Sequence, residues 1–265
     1  NIFDRNHRIE QARGELQALL QQHGCDPVAI GTLLDRLPQN VFLSYTMAQL
    51  EWTTMRLLDA PEDSPVLVAI HEFSGQGMSE LLVHAPEYDG LFSAVTHVID
   101  ELGLDVLSAR VGATSDGMSL DLFQLMTANA QALNRNDCMR LKSRLVDVLS
   151  KASVPKPVKR RLPRRLRSFK SNARIGFSAA HGGEKTLMDL ACSDRPGLLS
   201  HISAAMVECG VRIHDARIST LGDRVEDAFI LSDNQDEPLS RQLRNELRET
   251  LKETLGQDWE NSESQ

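Results

Sequence analysis

The chain has 265 residues, of which 41% are hydrophobic and 25% charged, with a net charge of −8; this is the profile of a globular protein long enough for two domains or more. No stretch approaches the ~20 unbroken apolar residues of a membrane span, the start lacks the apolar core of a signal peptide, and the excess of acid argues against a nucleic-acid binder. Cys25, Cys138, Cys192 and Cys209 show no Cys-x-x-Cys spacing, so they are expected to be reduced packing residues of a cytoplasmic protein.

Residues 1–60 read as a helical segment. Ile9, Ala12, Leu16, Leu19 and Leu20 recur at helical spacing until Gly24, and Asp26-Pro27 opens a second helix with Ile30, Leu33 and Leu34 on one face. A third helix begins near Thr46 and carries Leu50, Met55 and Leu58. The polar stretch Asp59 to Pro65 then acts as a linker.

From Val66 the pattern changes. Val66 to Phe73 and Glu80 to Ala85 read as strands joined by a hairpin at Gly75-Gln76-Gly77. Strand patterning on both sides excludes a nucleotide loop there. Glu87-Tyr88-Asp89-Gly90-Leu91-Phe92-Ser93 turns into a helix with Leu91, Val95, Val98, Ile99 and Leu102 on one face, closed by Gly103. Strands Leu104 to Val111 and Met118 to Leu125 follow, joined through Ser115-Asp116-Gly117, and Asn136-Asp137 is expected to cap a second helix.

A shift of 107 residues repeats this order. Asp194-Arg195-Pro196-Gly197-Leu198-Leu199-Ser200 stands where Glu87 to Ser93 stood, since 197 − 90 = 107, and Leu198, Ile202, Ala205, Met206 and Cys209 follow the earlier helix face. Asp236-Glu237-Pro238 is expected to start the last helix, before a polar tail over 257–265. An internal repeat of this regularity predicts two copies of one α+β unit, each strand, strand, helix, strand, strand, helix, spanning 66–151 and 173–256. Each unit leaves one sheet face without helices, so the units are expected to pair within the chain or between chains. The linker over 152–172 overlaps a basic run, Lys156 to Arg174, that holds nine Lys or Arg and no acid. It reads as a solvated connection, or else as a docking site for an acidic partner.

The two turns can carry chemistry. A helix that starts just after a strand leaves its first N–H groups unpaired and suited to an anion. Glu87, Asp89 or Asp194 beside it is suited to an ammonium. A carboxylate and an ammonium on one small molecule describe a free amino acid; the same residues also read as a turn former and a steric necessity.

Asp194-Arg195-Pro196-Gly197-Leu198, with its helix and Gly210-Val211-Arg212-Ile213, resembles the ACT domain, a ferredoxin-like amino-acid sensor. The tandem layout, with Glu87 to Ser93 and the helical lead-in Asp35 to Leu43, is similar to the C-terminal part of the bacterial bifunctional uridylyltransferase/uridylyl-removing enzymes, which modify the nitrogen signal protein PII and sense glutamine. The first copy has Asp89 where that pattern usually has Pro. The resemblance implies L-glutamine as ligand at Glu87, Asp89, Gly90, Leu91 and Phe92, and at Asp194, Arg195, Gly197, Leu198, Leu199 and Asp215. It implies upstream catalytic domains and PII as partners, and magnesium in the parent enzyme only. No Asp-x-Asp pair of a nucleotidyltransferase occurs in the sequence, and the one His-Asp, His214-Asp215, falls within a strand. The chain is therefore expected to hold no catalytic site, metal or cofactor. A module that docks proteins without ligand, or the tail of another ACT enzyme, is the competing expectation.

Overall fold

A computed structural model describes residues 2–72, 77–156, 173–256 and 259–260. The expected hairpin turn at 75–76, nearly all of the basic run and most of the polar tail lie outside them. The chain opens with helices α1 (Ile2–Gln22), α2 (Pro27–Arg36), α3 (Val41–Ser44) and α4 (Met47–Leu58). Asp26 caps α2, with Pro27 at its first position, and Thr46 with Gln49 closes a capping box on α4.

Two units of one element order follow. The first contains β1 (Leu67–His71), β2 (Ser79–His84), α5 (Leu91–Glu101), β3 (Leu104–Arg110), β4 (Asp121–Thr127) and α6 (Arg135–Ser150). The second contains β5 (Ala173–Ala180), β6 (Lys185–Ser193), α7 (Leu198–Glu208), β7 (Arg212–Arg217), the short β8 (Thr220–Leu221), β9 (Arg224–Ser232) and α8 (Arg241–Leu255). The fold class is α+β. The backbone of β10 (Trp259–Glu260) runs parallel to β5, so the tail adds a short edge strand where none was expected.

Two helix starts differ from the sequence expectation. Asn134, not Asn136, caps α6, because Asp137 three residues on returns a hydrogen bond to its N–H and completes a capping box. The last helix begins at Arg241 behind a Ser240 cap, since Asp233 takes the N–H groups of Gln235 and Glu237 into a turn and Asp236 adopts φ 66°.

All the described strands belong to one sheet, in the order β1-β2-β4-β3-β7-β9-β6-β5-β10 with β8 on β9. Its two halves meet edge to edge where β3 and β7 pair antiparallel through Arg110 and Arg217. Helices α5 to α8 cover one face over a core continuous across both halves. The units therefore do pair within the chain, through their edges and helices and not face to face.

The N-terminal helices cover the other face of the first half only. Leu82, Leu120 and Leu122 pack into their core, beside the partly buried Leu67 and Ala69. The corresponding residues of the second unit are Asp189, Glu226 and Ala228, beside Arg174 and Gly176. Strand β2 is consequently buried on both faces, with Leu81, Leu82 and Val83 apolar in succession, whereas β6 carries the exposed Asp189. Truncation of the fully buried Leu82 by Leu82→Ala is expected to cost ~2–5 kcal/mol. Equilibrium urea denaturation of the two proteins measures that loss.

Candidate functional site

The half-turn that relates the two units passes between α5 and α7. Thr96 Oγ1 and Ser203 Oγ lie 3.0 Å apart across it, at equivalent positions 107 residues apart. Two cavities flank this contact, each built by one unit's strand-to-helix turn and the other unit's helix end and strand start. The first lies under Glu87 to Ser93 and reaches Ser203, Met206, Val207 and Val211 to His214; the second lies under Asp194 to Ser200 and reaches Thr96, Ile99, Asp100 and Leu104 to Val106. Their volumes are about 540 and 270 Å³.

Gly90 and Gly197 adopt φ 97° and 74° as the caps of α5 and α7, a conformation that glycine takes without a steric cost. Crowding reinforces the requirement. A Cβ on Gly90 would lie 2.8 Å from Val154, and one on Gly197 would lie 2.9 Å from the Asp100 carboxylate. Leu91, Phe92, Leu198 and Leu199 are buried core residues, with Phe92 stacked on Phe123. The N–H groups of Leu91 and Leu198 already donate to the Tyr88 and Arg195 carbonyls at 3.1 and 3.2 Å, so the backbone N–H groups that can face a ligand are those of Phe92 and Leu199 in the first helical turn.

Ser93 and Ser200, the last residues of the two turns, are 2% and 1% exposed, and neither hydroxyl has a hydrogen-bond partner. Buried hydroxyls are ordinarily satisfied, so the same orphan in both repeats, each lining its cavity, points to a polar ligand.

Each cavity also holds a carboxyl that the sequence reading missed. Asp121 at the start of β4 and Asp227 in β9 are 1% and 4% exposed and accept from the backbone N–H of Gly112 and Ser219. Burial, then Glu87, pushes Asp121 well above the usual carboxylate range, while burial holds Asp227 at about 7. Asp121 Oδ2 has no partner. These residues escaped notice because the fourth strands match at an offset of 106, as Phe123 and Phe229 do. The 107-residue shift sets Asp121 against Ala228.

The turn acids stand near the buried ones. Loss of water, then Asp89, raises Glu87 to about 7, and loss of water also raises Asp194. Asp89 makes an ion pair of 3.2 Å with Arg212, which lines the same cavity. Two predicted residues are engaged elsewhere. The Arg195 guanidinium donates to the carbonyls of Leu255 and Thr254 at the end of α8, at 2.8 and 3.1 Å. Asp215 lines neither cavity. A bulge at His214 reverses the alternation of β7 and turns Asp215 to the opposite face, toward Arg110 and Arg217.

Among the described residues no group of three His, Cys, Asp or Glu is arranged to hold a metal ion, and no helix is long and apolar enough to cross a membrane. The raised carboxyl of Asp227 has a consequence for stability. A folded-state value of about 7 against an unfolded 3.8 makes the protonated form the stable one, so this contribution is lost as pH rises through 7. Asp227→Asn keeps the acceptor for Ser219 and stays neutral. It is expected to gain on the order of 1–3 kcal/mol at pH 8, with the unmatched amide hydrogens taking back part, and to gain little at pH 5. Thermal melts at the two pH values test this.

No family model matches the chain. A protein of Xanthomonas axonopodis pv. citri named bifunctional uridylyltransferase/uridylyl-removing enzyme is 33% identical over 244 residues, 92% of this chain and 28% of that protein. One of the same name from Vibrio cholerae is 31% identical over 247 residues, 93% of this chain and 28% of that protein. Among solved structures, the trimeric microcompartment shell protein PduB covers 74% of this chain and 91% of its own at 12% identity and TM-score 0.26, too low a likeness to bear on the fold. The chain thus spans little more than a quarter of the length of its curated relatives, and over that stretch it is a homologue of the bacterial bifunctional uridylyltransferase/uridylyl-removing enzymes.

Proposed function

We propose that the chain is the glutamine-sensing regulatory region of a PII uridylyltransferase/uridylyl-removing enzyme, formed by two paired ACT units, with catalysis and its magnesium housed in domains beyond it. The observation that carries this reading is the repeated cavity between the units, each with a buried, unpartnered serine hydroxyl. The first cavity suits a zwitterion. Arg212 and the N-terminal N–H groups of α5 receive the α-carboxylate, while Glu87 and Asp121 receive the ammonium. Its volume of about 540 Å³ lies in the range of small-molecule sites.

The same cavity has a physical route to the N-terminal helices. Gly112 and Ala113 line it, and the adjoining Ser115 donates its N–H to the Arg36 carbonyl at 3.0 Å. Arg36 also pairs with Asp116 at 3.1 Å. A ligand that draws in residues 111–113 therefore biases the helices through which upstream domains connect, and a coupling of ~1–3 kcal/mol is enough for regulation.

Calorimetric titration of the chain with L-glutamine is expected to give saturable binding, weakened by ~1.5–3 kcal/mol in Arg212→Ala. Glu87 acts on Asp89 and Asp121 and shares its cavity with Arg212 and His214. With its carboxyl at about 7, an ammonium ligand gains about tenfold in affinity from pH 6 to pH 8, and Glu87→Gln flattens that dependence. Absence of binding at millimolar glutamine defeats the reading.

A further inference from the structure

The contacts proposed above for the first cavity meet the two charges that every α-amino acid carries, so they do not choose among side chains. His214, on β7 and in the same lining, is placed to make that choice. Both repeats carry a bulge here, between Val106 and Ser108 in β3 and between Ile213 and Asp215 in β7. The residue it holds is Leu107 in one and His214 in the other, and Met126 of β4 gives way to Ser232 of β9 at the partner position. The bulge is thus common to the repeat, while the polar pair stands in the unit whose β7 reaches the first cavity.

The ring of His214 is held from outside the cavity. Its Nε2 lies 2.6 Å from Ser232 Oγ and 3.4 Å from Asp236 Oδ1, and neither of those residues lines the cavity. The Ser232 hydroxyl donates its own proton to the Asp233 carbonyl at 2.9 Å, so Oγ is left to accept and Nε2 to donate. Lys185 fixes Asp236 as a second acceptor, with Nζ 3.3 Å from its carboxylate and 3.2 Å from its carbonyl. A neutral imidazole carries one N–H, so Nδ1 keeps a lone pair. The side chain is 32% exposed, which leaves an edge of the ring open to the cavity it lines. Burial opposes a second proton on His214; Asp236 favours it, and Lys185, Arg212 and His181 oppose it. Glu87, Asp89 and Asp121 line the same cavity from the first unit.

We propose that His214 selects the ligand's side chain in the first cavity, with Nδ1 accepting a hydrogen bond from a side-chain amide and opposing a side-chain carboxylate. Glutamine has the amide hydrogens that this lone pair needs, whereas the carboxylate of glutamate at neutral pH brings only acceptors and a negative charge. Asn234 of the same lining has both a donor and an acceptor for the rest of the amide. Ser232 is a positioning residue, since it holds the tautomer of His214 without lining the cavity. The inference rests on the amino-acid reading of this cavity and adds the choice of side chain to it.

The test is the ratio of L-glutamine to L-glutamate affinity, from calorimetric titration of the full 265-residue chain at pH 8 and pH 5. Both ligands bring the same ammonium and α-carboxylate, so the titration of Glu87 and Asp121 cancels in the ratio, and the glutamate side chain stays largely ionised at pH 5. At pH 8 glutamine is expected to bind at least about tenfold more tightly than glutamate, because a site built to accept from N–H rejects a ligand without one. At pH 5 protonation of His214, favoured by a bound carboxylate, turns Nδ1 into a donor, and the ratio falls. His214→Gln keeps a donor for Ser232 and places nothing where Nδ1 stood, so it is expected to keep the wild-type melting curve with a ratio near one at both pH values. Ser232→Ala is expected to give an intermediate ratio at pH 8. A purely structural role for His214 instead lowers the melting temperature and weakens both ligands alike. Equal affinity for the two ligands at pH 8, a ratio that does not change with pH, or a ratio kept in His214→Gln overturns this inference and leaves amino-acid binding in the cavity standing. Absence of binding by either ligand removes both.

Discussion

The edge-to-edge pairing of the two units is the constraint on which the rest depends. A single pair, Arg110 with Arg217, joins the strands at this seam. The seam therefore relies on α5 packing against α7, with Thr96 and Ser203 hydrogen-bonded at their crossing. Both hydroxyls also lie within reach of a carbonyl one turn back in their own helices, at 3.0 and 3.1 Å. Small polar residues here let the helices approach closely while leaving no unpaired group at the axis. Each cavity exists because this approach brings one unit's turn against the other's helix end.

Departures from the repeat's symmetry then assign different roles to its halves. On the uncovered face, Leu82, Leu120 and Leu122 give the first half an apolar surface that the N-terminal helices bury, whereas Asp189 and Glu226 keep the second half wet. On the helix side, Arg212 against Asp105 and Val207 against Asp100 separate the two cavities by charge. The helices and the zwitterion-suited cavity meet at the same loop, residues 111–116, through Ser115, Asp116 and Arg36. Regulation of an upstream activity needs that kind of shared element, because a ligand shifts an equilibrium only through contacts that differ between its states.

Much of the fold was legible because its signals are local. The spacing of Leu91, Val95, Val98 and Ile99 fixed a helix, Gly103 fixed its close, and the 107-residue shift fixed two copies of one unit. Where two local signals competed, the sequence reading went astray. Asn134 and Asn136 both suit a helix cap, and only the return bond from Asp137 selects the first. Asp236-Glu237-Pro238 resembles a helix start, but the Asp233 side chain closes a turn over it.

The site was legible only in outline. By itself the sequence determined the turns, their acids and the repeat, because backbone conformation at glycine and apolar periodicity act over a few residues. Tertiary structure decided which side chains share a cavity, because strand register and cross-unit packing are long-range. A one-residue difference in the loop before the fourth strand hid Asp121 and Asp227 from the repeat, and a bulge at His214 carried Asp215 to the opposite face. Arg212, Asp100 and Asp105 belong to the opposite unit from the turn whose cavity each lines, so only the pairing of the halves brings them there.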